Sequence, residues 1–110
     1  MTVQEVAEKL GLNVVAGKAG MEHSVDGCYI GDLMSLAMAR LEEGNLWITI
    51  QTNLNVVAVA SLKEAGGVIL ADGVVLDANA AEKAEEEGIP ILCAEASAYT
   101  LAKQLGALGI

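Results

Sequence analysis

Apolar positions in the chain switch between two periods. Val3, Val6, Ala7 and Leu10 recur at helical spacing, behind a Thr2–Glu5 capping box and ahead of Gly11, which stops the turn. Residues 12–16 then read as a short apolar strand, and the turn-rich GKAGMEHSVDG connects it to a strand at 28–30. Asp32 is placed to cap a helix through LMSLAMARLEE that ends near Gly44. A β-branched strand follows at 47–50. After the polar bend Gln51-Thr52-Asn53-Leu54-Asn55, a helix runs through VVAVASLKEAG, capped by Asn53 or Asn55. Strands at 68–70 and 89–93 flank a helix capped by Asp77 and closed by Gly88, and Ser97 caps the last helix, AYTLAKQLGAL. Strands alternating with helices of this length predict an α/β fold with a largely parallel sheet.

Two helices lack the usual polar face. The one at 33–41 spreads Leu33, Met34, Leu36, Met38 and Leu41 around its circumference, and the one at 54–62 is nearly all Val, Ala and Leu. Helices apolar all round need cover on more than one side, so a homodimer through one or both is expected. The helix AEKAEEEG instead keeps Ala81 and Ala84 on one side and its Glu residues on a solvated face.

The chain has 110 residues, 54% of them hydrophobic but only 3% aromatic and none Phe, so one aliphatic core is expected in a single domain spanning 1–110. A net charge of -9, from six basic and fifteen acidic residues, repels a phosphate backbone and excludes nucleic acid as an expected partner. The start, MTVQEVAEKL, has neither a signal peptide's apolar core nor a membrane span, so no membrane partner and a cytoplasmic location are expected.

Candidate chemistry is sparse. Cys28 and Cys93 fit no metal-ligand spacing and read as buried, reduced residues, while His23, the single histidine, falls in a polar turn expected at the surface. Gly17-Lys18-Ala19-Gly20 lacks the spacing and the hydroxyl of a Walker loop and reads as a turn. No metal site is expected, since Asp32 and Asp72 have simpler roles as cap and turn residue. Ligands of open α/β sheets bind beyond the carboxyl ends of the strands. The segments there supply Thr49, Gln51, Thr52, Asn53, Asn55, Asp72, Gly73 and Ser97 as candidate ligand-binding residues. Capping alone also accounts for Asn53 or Asn55. For an enzyme the candidates are Ser97, Thr100, Cys93 and Asp72, none with an evident partner, so no catalysis is expected.

Nearly the whole chain resembles the DRTGG domain family, related to the N-terminal domain of HPr kinase/phosphorylase and found beside CBS domains. The blocks that carry the resemblance are EVAEKLGL, AGKAG, VDGCYIGDLMS, WIT with its loop, GVILADG and EEEGIPILCAEASAYTLA, in that order. The resemblance implies a three-layer α/β/α arrangement, the MurF/HprK N-domain-like fold, and a regulatory role. The name-giving residues are absent: Thr52-Asn53 stands where the family has Asp-Arg, and Ala71-Asp72-Gly73 where it has Thr-Gly-Gly. Phosphotransfer, which belongs to the kinase's separate domain, is not implied. The stretch WITIQTNLNVVAVA is similar to short stand-alone members found in anaerobes among genes for iron-only hydrogenases and redox-linked regulators. Two functions are expected from these features. One is a non-catalytic domain that senses a small metabolite or nucleotide and signals to a partner protein; its cofactors are unknown. The other is a dimeric adaptor for an iron-only hydrogenase-linked redox system, with no small-molecule ligand. A pocket lined by Thr49, Gln51, Asn53 and Asp72 favours the first, and a filled region favours the second.

Overall fold

The computed structural model describes all of residues 1–110. Helix α1 (Val3–Leu10) starts at the expected capping box, with the Glu5 amide donating to Thr2 Oγ1 at 3.1 Å and the Thr2 amide donating to Glu5 Oε1 at 3.0 Å. Gly11, left-handed at φ 67, ends it. Strand β1 (Asn13–Ala16) follows, then β2 (Gly27–Ile30), α2 (Met34–Arg40), β3 (Asn45–Thr49), α3 (Leu54–Leu62), β4 (Gly67–Leu70), α4 (Ala78–Glu87), β5 (Ile91–Cys93) and α5 (Ala98–Ala107). Every helix and strand expected from the pattern is present, with ends displaced by a few residues.

The five strands lie in the order β1-β5-β4-β3-β2. Strands β2 to β5 are mutually parallel, and β1 joins the edge of β5 antiparallel, a common closure for a parallel sheet. Each step from β2 to β5 moves in one direction along the sheet, so right-handed crossovers put α2, α3 and α4 on one face. Helices α1 and α5 cover the other. Strand alternation divides the core accordingly: Trp47, Val68, Leu70 and Ile91 face α2–α4, while Leu46, Ile48, Ile69 and Leu92 face α1 and α5. The result is the three-layer α/β/α arrangement.

Of the two apolar helices, α3 is covered within the chain on one side, while Leu54 and Leu62 at its ends are exposed. It lies between α2 and α4 and buries Val56, Val57, Val59 and Ala60. Each fully buried valine contributes about 1.5 kcal/mol or more. Helix α2 buries only Ala37, and leaves Leu33 60%, Leu36 44% and Met38 37% exposed. It sits over the edge strand β2, where no further helix flanks it.

One expectation changes here. Cys28 and Cys93 are half-buried rather than buried, because each lies near the end of its strand. Glu85 is exposed, as expected, and its carboxylate also reaches the 17–20 turn, where it accepts from the Gly17 amide at 2.6 Å. Gly17 has φ 74, and a β-carbon there would lie 1.8 Å from the Ile89 carbonyl oxygen, so only glycine permits this approach. The Gly-Lys-Ala-Gly turn thus holds an anion after all, one belonging to the chain itself. His23 is exposed, as expected. No helix is long and apolar enough to cross a membrane.

Candidate functional site

The carboxyl ends of β2 to β5 share one edge of the sheet. At β2 and β3 this edge is tied together by Asp32. The Trp47 indole, fully buried, donates to the Gly31 carbonyl at 2.8 Å and fixes the exit from β2. Asp32 Oδ1 then accepts from Thr49 Oγ1 at 2.8 Å and from the Ile50 amide at 3.0 Å. Asp32 is therefore not the cap of α2, which starts one residue later with Leu33 as N-cap and no side-chain capping bond. Its carboxylate is instead taken up by two donors at the end of β3, the Thr49 hydroxyl and the Ile50 amide. The Thr49 hydroxyl also accepts from the Gln51 amide at 3.2 Å, and the Gln51 side chain donates to the Asp32 carbonyl at 3.0 Å.

The bend continues as a helix start. Asn53, not Asn55, is the cap of α3: its side-chain oxygen accepts from the Asn55 amide at 2.9 Å, while Asn55 is exposed. Thr52 Oγ1 donates to Asp77 Oδ1 at 3.1 Å, and the Asp77 amide donates to the Thr52 carbonyl at 3.0 Å. Asp77 occupies the N-cap position of α4, but its side chain makes no capping bond, because Thr52 takes it. Ser97 does cap α5, accepting from the Thr100 amide at 3.2 Å.

At β4 and β5 the same edge opens. Asp72 and Gly73 are successive left-handed residues, φ 59 and φ 69, and their amides donate to the Ala96 and Ala94 carbonyls at 2.9 Å each. From this turn the chain leaves toward α4 on one face, whereas after β5 it leaves toward α5 on the other. Where adjacent connections part in this way a crevice forms at the strand ends. A cleft of about 560 Å³ lies beside these turns, walled by Leu10 at the end of α1, Leu12, Val15 of β1, Leu101 of α5, and Val74 and Leu76 of the β4–α4 connection. Glu95 and Gln104 are among its few polar side chains. Burial pushes the Cys93 thiol, also in the wall, above its ordinary pKa, so it stays protonated and is a poor nucleophile.

Of the residues expected to contact a ligand, Gly73 lines this cleft; Thr49, Gln51, Thr52, Asn53, Asn55, Asp72 and Ser97 do not. The cleft walls are apolar residues that carry no binding signature in a sequence. What marks the place is the direction of the chain after β4 and β5. A second cleft of about 500 Å³, at the opposite end of the sheet, is lined by His23, Asp26, Glu43, Glu64 and Glu87. A hydrogen bond shared with Glu64 and the repulsion of that charge push the Glu43 carboxyl above its ordinary value.

The DRTGG domain profile matches residues 5–108. The chain belongs to the DRTGG domain family. Among solved structures, the DRTGG fold seen here is matched by the CBS and DRTGG domains of the regulatory region of Clostridium perfringens pyrophosphatase, complexed with its activator diadenosine tetraphosphate. The TM-score is 0.75 at 10% sequence identity, over 94% of this chain and 45% of that one. This DRTGG chain thus spans less than half the length of that structure, and at such identity the likeness is one of fold. A search of curated proteins found no match.

Proposed function

We propose that this DRTGG chain is a single, non-catalytic regulatory domain of the cytoplasm, which senses a small metabolite or nucleotide at its strand-end loops and signals to a partner protein. The observation that carries this reading is the cleft beside the β4 and β5 loops, whose volume of about 560 Å³ falls within the span of small-molecule sites and whose lining is mainly apolar. The pyrophosphatase regulatory region, of the same fold, was solved with a nucleotide activator, which supports a sensing role for the family. A thermal-shift screen tests it, using adenine and guanine nucleotides, diadenosine tetraphosphate, acyl phosphates and uncharged metabolites. A ligand at one hundred times its Kd adds about 2.7 kcal/mol of stability. A shift that grows with concentration is expected from at least one compound, and silence from all of them overturns the reading.

The adaptor reading is favoured by two other observations: Thr49, Gln51 and Asn53 are engaged with Asp32, with one another and with the start of α3 and line no cleft, and Leu33, Leu36 and Met38 of α2 are exposed. A dimer through α2 buries them, and an iron-only hydrogenase-linked protein is then the partner to seek. Sedimentation at micromolar concentration tests it. A dimer that Leu36→Lys converts to monomer supports this reading, and a wild-type monomer removes it.

A further inference from the structure

If the cleft beside the β4 and β5 turns is the sensing site, a premise on which this inference rests, its charge character narrows the ligand. No Lys, Arg or His side chain lines it, and Glu95 is its single carboxylate. Its rim includes Leu10 and Gly11 at the carboxyl end of α1, where Lys9 in the same turn offsets the partial negative charge of the dipole. Helix α5, on the other side, begins with its Thr100 amide already bonded to Ser97. Around these polar groups the walls are aliphatic, and the whole chain carries a net charge of -9. A phosphate or carboxylate entering here meets the Glu95 carboxylate and no cation in the lining. An ammonium group meets a favourable partner in Glu95, while its apolar body is taken up by Leu12, Leu101, Val74 and Leu76.

We propose that this cleft binds a small apolar amine, with its cationic group paired to the Glu95 carboxylate. Nucleotides and acyl phosphates are excluded from it, so the class of metabolite sensed is organic and cationic.

Amide chemical-shift titrations of the full chain with phenethylamine, phenethyl alcohol and phenylacetate test this, since the three share an apolar body and differ in charge. Saturable shifts at Val74, Glu95 and Gln104 are expected, with phenethylamine bound about five- to tenfold more tightly than phenylacetate and the alcohol between them. Glu95→Lys, at an exposed position, is expected to level or reverse that order. Ala81→Leu, which fills the wall from α4 without changing charge, weakens all three. Equal or tighter binding of phenylacetate overturns the proposal, as does a response confined to residues outside the cleft. If diadenosine tetraphosphate shifts amides elsewhere while the cleft stays silent to the amine, this inference fails and the sensing reading stands. Silence toward every compound sinks both.

Discussion

At the β2/β3 half of the sheet's carboxyl edge, Asp32, Thr49 and Gln51 hold one another, and Asn53 is committed to the start of α3. At the β4/β5 half the polar side chains are few and the space is open. The difference teaches that polar residues at strand ends do not by themselves indicate a site. Where the connections run to the same face, as after β2 and β3, their loops lie close enough to satisfy each other. Where they run to opposite faces, the turns still bond to each other through the Asp72 and Gly73 amides, and the open space lies beside them, toward the end of α1 and β1.

Asp32→Ala puts this contrast to its strongest test. It leaves the Thr49 hydroxyl, in a residue 2% exposed, and the Ile50 amide without their acceptor, and is expected to cost about 2–3 kcal/mol in urea unfolding. Glu95→Ala in the open half is expected to change stability by less than about 0.5 kcal/mol. Equal effects would erase the distinction between the halves.

Gly73→Ala comes next. Its φ of 69 disfavours a side chain, and an added β-carbon would lie 2.5 Å from Glu95 Oε2, so a loss of about 1–2 kcal/mol is expected. Combining it with Glu95→Ala removes the clash and leaves the backbone strain. If the double variant is no more stable than Gly73→Ala alone, Glu95 does not pack against this turn.

Asn53→Ala is expected to cost about 1 kcal/mol, the usual loss of an N-cap, with no change in binding at the β4/β5 cleft. Loss of ligand response in that variant would return the polar bend to the role of a binding site.

The amino edge of the sheet supplies a contrast of the opposite sign. Glu64 is left-handed at φ 54, just past the carboxyl end of α3, where both its backbone and its charge are unfavourable. Glu64→Asn should stabilise by about 1 kcal/mol, and an unchanged melting temperature would show that the turn bears no strain. Acid titration separates two further carboxyls. Glu43 is held above its ordinary pKa of 4.5, so its contribution is fully present below that pH and is lost as pH rises through the raised value. Glu5 is held below 4.5 by the Thr2 amide, so its contribution is present above 4.5 and is lost as pH falls. Glu43→Gln and Glu5→Gln should therefore differ from wild type with opposite pH trends, read as melting temperature between about pH 3 and 7.

Thr2, Asn53 and Ser97 were legible as caps because a cap bonds to its own helix within a few residues. Asp32 and Asp77 were not, since their acceptor oxygens serve Thr49 and Thr52 from other connections. Glu85 looked like one of several solvated glutamates, and only the packing of α4 against β1 brings it to the Gly17 amide. The cleft was least legible of all, because Leu10, Leu12, Val74, Leu76 and Leu101 come from distant parts of the chain and each reads as ordinary core.

The sequence by itself determined the helices, the strands and the parallel α/β plan, because periodicity and helix capping act over a few residues along the chain. It also excluded a basic surface through its charge. Only the tertiary structure decided that β1 closes the sheet antiparallel, that α3 buries its valines within the chain while α2 buries only Ala37, and that the open space lies beside the β4 and β5 turns. Those outcomes depend on strand order and on which face each connection takes, and such relations between distant residues leave no local period to read.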